Sequence, residues 1–180
     1  MIPPGNLHHY RFFDGLDDDE YAAIAAIADE FSLGKGDVLF HAGDAANQLY
    51  LLADGGVELY HLPSPGPDAA LPRAEAMYLM MEKGEDVPLM ETGVTFHREF
   101  LVGTIRPGEA ISISTLIDPY RVTATAHVTM PSRFVKVDAI KLRELCRTDY
   151  KLGCTLIQAA AKIAMQRLNF TRQQLVAERA

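Results

Sequence analysis

Cysteine is scarce: Cys146 and Cys154 are the only two, eight positions apart in a helical stretch. Two thiols cannot supply the four ligands of an ordinary iron–sulfur cluster or structural zinc site, so both read as packing residues. No apolar run reaches the roughly 18 residues of a membrane helix. The opening MIPPGNLHHYRFF has no basic segment leading into an apolar one. Neither a secretory signal nor a membrane partner is therefore expected, and the cytoplasm is the default location. The 17 basic residues are scattered, and the net charge of −7 argues against non-specific nucleic-acid binding. Gly-x-Ser-x-Gly, Walker-type and Cys-x-x-Cys motifs are absent, leaving hydrolase, ATPase and disulfide-exchange chemistry unsupported. His8, His9, His41, His61, His97 and His127 include no His-x-His pair, the pattern a metal-dependent jelly-roll enzyme would present. A haem held by His61 or His97 is the weaker reading beside two surface histidines. The expectation is a protein with no catalytic residues, no metal and no cofactor.

What remains is ordinary globular material. With 48% hydrophobic and 23% charged residues, 180 residues suit a single domain over 1–180. Asp17, Asp18, Asp19 and Glu20 precede apolar residues at Tyr21, Ile24, Ile27, Ala28 and Phe31. Acidic residues at the start and one apolar face predict a helix from about 17 to 30. Then Gly34, Gly36, Gly43, Gly55 and Gly56 punctuate the β-rich pieces Val38–Phe40, Gln48–Ala53 and Val57–His61. Short strands at regular turn spacing predict a mainly β fold, a sandwich or jelly roll.

The segment 62–76 carries four prolines and a glycine and reads as a loop. Strand-like runs follow at Met77–Met81 and Val87–Met90, and residues 94–106 return to β character. Met77, Met80, Met81 and Met90 suit either an adaptable flap for a partner or a hairpin covering its own barrel.

From Asp149 to about Glu178 the pattern predicts one long helix of roughly 45 Å. One apolar stripe runs Leu152, Leu156, Ala159, Ile163 and, after Gln166, Phe170. A second runs Ile157, Ala161, Ala164, Leu168, Thr171 and Leu175. The two lie roughly 140° apart, so one can cover the β layer while the other seeks a second surface. The steps of 4 and 3 match a coiled-coil seam, and a symmetric homodimer is the economical inference; the alternative is that both stripes pack within one monomer.

The pieces FFDGLDDDE, KGDVLFHAGDAANQLYLLADGGVELY, PGEAISISTLIDPYRVTATA and SRFVKVDAIKLRELC, in that order and spacing, resemble the cyclic-nucleotide-binding domain of the catabolite-activator (Crp/Fnr-like) family. The resemblance covers nearly the whole chain apart from 62–96, an insertion of about 35 residues where the family has a short hairpin. It implies a double-stranded β-helix (jelly-roll) barrel with flanking helices and a long C-terminal dimerisation helix over 149–178. It also implies a ligand site on a short helix between two strands. There a Glu typically holds the ribose hydroxyl and an Arg on the next strand neutralises the cyclic phosphate.

Aligned without gaps, this chain places Ile113 at the Glu position and Val122 at the Arg position. Ile cannot accept a hydrogen bond, and Val cannot neutralise a phosphate. Arg121 is one residue away, on the opposite face of a strand unless a bulge re-aims it. Ser112, Ser114, Thr115, Thr123 and Thr125 still offer hydroxyl groups around the ligand's place; equally, they can cap the short helix and populate strands.

The expected function is a stand-alone sensory module with a degenerate phosphate cassette, whose ligand residues would be drawn from Ser112, Ile113, Ser114, Thr115, Arg121, Val122 and Thr123. Its effector would be a non-standard small molecule, with cyclic AMP not an ordinary ligand, or none. The alternative is an interaction scaffold with a decayed pocket, docking an unknown protein partner through 62–96. The family's DNA-reading domain would follow the long helix, and this chain ends at Ala180, so no direct DNA contact is expected.

Overall fold

The computed structural model describes residues 2–61 and 100–177. The readings on 62–99, namely the proline-rich loop, the methionine-bearing strands and the docking insertion, lie outside the described residues.

Helix α1 (Asp18–Ala26) begins with a reciprocal cap. The Glu20 N–H donates to Asp17 Oδ1 at 3.0 Å, and the Asp17 N–H donates to Glu20 Oε2 at 2.7 Å. This satisfies two amides that a helix start otherwise leaves unpaired. The helix stops four residues earlier than its apolar spacing predicts. Residues Ala28–Leu33 form strand β1 instead, paired antiparallel with β6 (Thr125–Asp138). Phe31, read as the end of the helix's apolar face, lies opposite Phe134 in that ladder, with ring centroids 5.2 Å apart. Burial against a second strand outweighs the local helical preference, as tertiary context commonly does.

The remaining strands are β2 (Val38–Phe40), β3 (Gln48–His61), β4 (Phe100–Ile105) and β5 (Ala110–Ile111). They form one six-stranded sheet in the order β1-β6-β3-β4, with β2 also on β6 and β5 on β3. This is the jelly-roll sheet with flanking helices, although it is not closed among the described residues. The two 14-residue strands β3 and β6 run antiparallel along their whole length, from Gln48 opposite Asp138 to Tyr60 opposite Thr125.

Residues 48–61 are thus one strand, where two strands separated by a glycine turn are expected. Gly55 and Gly56 sit inside it, at register shifts between Leu52 and Val57. Gly55 has φ +106°, and a β-carbon there would lie 2.7 Å from the Cα of Ser132. Ser132 in turn accepts the Gly56 N–H at 3.1 Å and donates to the Met130 carbonyl at 2.7 Å. The pair of glycines marks a bulge through which two backbones approach closely.

Alternation along β3 and β6 divides the core in two. Leu49, Leu51, Val135 and Val137 face a helical layer made by Leu7, Phe12, Phe13, Ile24, Leu142, Leu152 and Leu156. Leu52, Val57, Leu59, Val128 and Phe134 face the inner side of the curled sheet.

Helix α2 (Ala139–Thr148) is capped by Asp138, whose carboxylate accepts the N–H groups of Ile140 and Lys141 at 3.0 and 3.1 Å. Helix α3 (Tyr150–Ala177) follows after Asp149. Its sheet-facing side is Leu152, Leu156 and Ala160, all buried, with Ala159 and Ile163 packed beside them. Ala160 was not in the expected stripe; steps of four select it because the helix packs along that row. Lys151 ties the start of α3 to the cap of α1, 2.8 Å from Asp17 and 3.3 Å from Glu20. Cys146 is half-buried and burial pushes its thiol up, as a packing residue requires, but Cys154 is exposed.

Candidate functional site

Strand β5 pairs with the first part of β3, Tyr50 opposite Ile111 and Leu51 opposite Ala110. The chain then leaves the sheet through Ser112, which adopts a left-handed conformation with φ 61° and ψ 42°. A short 3-10 helix, Ile113–Leu116, follows. Beyond it residues 120–122 are laced to the β2–β3 connection: the Ala46 N–H donates to the Tyr120 carbonyl at 2.7 Å, Gly43 to Val122 at 2.8 Å and Val122 to Asp44 at 3.0 Å.

Between these segments lies a cleft of about 170 Å³ lined by Leu39, Phe40, Asp44, Ala45, Ala46, Asn47, Gln48, Tyr50, Ser112 and Val122. Two of the seven expected ligand residues, Ser112 and Val122, line it, each only 5% exposed. The others point elsewhere. Ile113, aligned with the ribose-binding Glu, packs in the core on the helical side of the sheet. Ser112, left-handed and directly before it, is the residue of this segment that lines the cleft. Thr115 is fully buried beside Ile113, Ser114 is half-buried and Thr123 is exposed, its carbonyl accepting His61 Nδ1–H at 3.0 Å.

Arg121 stays on the outer face, as strand alternation predicts. Its side chain is exposed and donates to the Gly43 carbonyl at 2.8 Å; no bulge re-aims it. Among the lining residues the one acidic or basic side chain of Asp, Glu, Lys, Arg or His type is Asp44, whose Oδ2 accepts the His41 N–H at 2.9 Å. The floor is aromatic: the Phe40 and Tyr50 rings lie 21° from parallel with centroids 6.0 Å apart. Burial pushes the Tyr50 phenol up, so it stays neutral.

Hydroxyl groups are divided between structure and vacancy. Thr125 is satisfied, its Oγ1 accepting the Ala42 N–H at 3.1 Å. Ser112 Oγ and Thr115 Oγ1 are buried without a hydrogen-bond partner among the described residues. Each such group costs about 1–3 kcal/mol relative to a paired one. Ser112 makes no capping bond to the 3-10 helix, so the capping role open to it in sequence is not the one it plays.

Sequence reasoning missed two arginines. Arg143 on α2 donates to the Thr115 carbonyl at 2.9 Å and lies 4.4 Å over the Tyr120 ring. Arg167 on α3 donates to the Ala110 carbonyl at 3.1 Å. Desolvation lowers the Arg167 pKa to about 10, which leaves it charged at neutral pH. The two C-terminal helices thus hold the cassette at both of its ends. Neither contact is marked by apolar periodicity, since each is a charged residue set on the half-buried side of its helix.

No protein-family sequence model matches the chain, and no curated relative does. Among solved structures it is similar to a protein from Geobacter metallireducens GS-15 assigned as cyclic-nucleotide-binding. The two are 30% identical, the match covers 93% of this chain and 99% of that one, and the TM-score is 0.69. The N-terminal domain of a transcriptional regulator from Streptomyces coelicolor A3(2) is 24% identical, covering 89% and 93% with a TM-score of 0.58. The sensor domain of the transcriptional regulator DNR from Pseudomonas aeruginosa shares the fold at 17% identity, covering 92% and 90% with a TM-score of 0.62.

Proposed function

The chain belongs to the cyclic-nucleotide-binding domain family, alongside sensor domains of Crp/Fnr-type regulators, and from that premise we propose that it is a sensory module whose effector is not a cyclic nucleotide. The observation that carries this reading is the exchange of sides at the cassette. Val122 occupies the cleft while Arg121 bonds to Gly43 outside it. A cyclic phosphate entering the cleft would meet Val122, Ser112 and the Asp44 carboxylate, and no cation among the lining residues. Placing an anion there without a partner is costly. The open cleft supports sensing over a scaffold with a plugged pocket.

Transmission would run through Arg143 and Arg167. A ligand that moves residues 110–116 changes the carbonyl positions these two side chains hold. It would then favour one arrangement of α2 and α3 over another, and a partner would read the difference. The outer stripe of α3 supports a homodimer as the receiving state, with Ile157 46% and Leu168 42% exposed.

Thermal unfolding with millimolar cyclic AMP and cyclic GMP tests the reading. No change in the midpoint is expected. A ligand at a hundred times its dissociation constant adds about 2.7 kcal/mol, which would raise the midpoint by several degrees. Such a rise with either nucleotide would overturn the proposal.

A further inference from the structure

Resting on that reading of the cleft, we propose that its ligand is a single planar ring bearing an uncharged or cationic amide- or amidine-like group. Size comes first. A cavity of about 150 Å³ holds one benzene ring, whereas pockets for drug-sized ligands start at roughly 300 Å³. At about 170 Å³ the cleft matches the size of one ring.

Shape follows from the walls. Phe40 and Tyr50 present two nearly parallel rings, with Leu39 and Val122 beside them, a surface suited to a flat apolar face. Polarity follows from the rim and the depth. Ser112 lines the cleft and is 5% exposed, and its Oγ is buried without a partner among the described residues, so a ligand that reaches that atom with a hydrogen bond removes a standing cost. The amide side chains of Asn47 and Gln48 line the opening and make no hydrogen bond among the described residues. They provide both donors and acceptors. Charge follows from Asp44, which favours a donor-rich or cationic group and disfavours a carboxylate or phosphate.

Benzamide, benzamidine and benzoate share one shape and differ in charge, and they separate these contributions. In an amide-resolved NMR titration of the full chain, benzamide and benzamidine are expected to perturb the signals of Phe40, Tyr50 and Ser112 and to saturate in the millimolar range. Benzoate is expected to bind at least tenfold more weakly. Ser112→Gly removes the hydroxyl while keeping a residue that adopts the left-handed conformation without strain. It should weaken benzamide at least fivefold with its fold intact by the remaining signals. Benzoate matching benzamide, no perturbation by any of the three, or an unchanged benzamide affinity in Ser112→Gly would each overturn the inference. All three leave the exclusion of cyclic nucleotides standing. Cyclic AMP perturbing the same signals would overturn both.

Discussion

One left-handed residue stands where the chain leaves the sheet beside the cleft. Ser112 has φ 61° and lines the cleft, while Ile113 directly after it joins the core. A gapless alignment assigns residue types to positions but says nothing of such a turn. That is why the sequence could place Val122 at the cleft but could not foresee that Ser112, and not Ile113, lines it. The sequence names Arg121 as a candidate ligand residue with a place on the opposite face unless a bulge re-aims it, and its exposed side chain bonds to the Gly43 carbonyl. Gly55 makes the converse point. Sequence marks it as a turn glycine; the structure needs it for proximity to Ser132. Gly55→Ala would meet both the φ of +106° and the Ser132 Cα at 2.7 Å. A loss of about 2–4 kcal/mol is expected in urea unfolding, against less than 1 kcal/mol for Gly5→Ala, where a β-carbon meets nothing within 4 Å.

Among elements, those closed by local chemistry were read correctly at their closed ends. The start of α1 is fixed by Asp17 and Glu20, and the start of α3, expected at Asp149, by the apolar spacing beyond it. The end of α1 has no comparable signal: Ile27 follows Ala26 without glycine or proline, and the ladder with β6 sets the boundary. The same ladder logic fused two expected strands into β3. The cap of α1 also carries a pH dependence. Hydrogen bonds from Lys151 and from the Glu20 N–H hold the Asp17 carboxyl below its ordinary value of 3.8. A carboxyl so lowered contributes stability that is complete above pH 4 or so and is lost as pH falls through the lowered pKa. Asp17→Asn keeps a capping oxygen but removes the titration. Its stability should therefore vary less than that of the wild type between pH 4 and pH 2, measured by denaturant midpoints at each pH. An equal acid loss in both proteins would show that Asp17 is not a source of it.

For the whole molecule, the jelly-roll sheet and the long helix followed from the order of weak pieces, none of which is decisive alone. The division of α3 into a buried and an exposed side was also legible, because two apolar stripes on one helix cannot both meet the same sheet. Ile157, Ala161, Ala164 and Leu168 remain exposed, with Met165 at 56% beside them, while Thr171 is half-buried and bonds back to the Arg167 carbonyl at 3.1 Å. The side chain of Leu175 lies outside the described residues. Substituting Ile157→Ala together with Leu168→Ala should convert a dimer to a monomer by light scattering with little change in helix content. A dimer that survives both changes would place the contact elsewhere.

Arg143 and Arg167 grip main-chain oxygens, Thr115 and Ala110, and not the side chains between them. A carbonyl is the same group whatever residue carries it. The lock can therefore be recut at Ser112, Asn47 or Val122 while the linkage to the bolt stays as it is. On the proposed reading, ligand selectivity and signal output would be separable, each free to change on one frame.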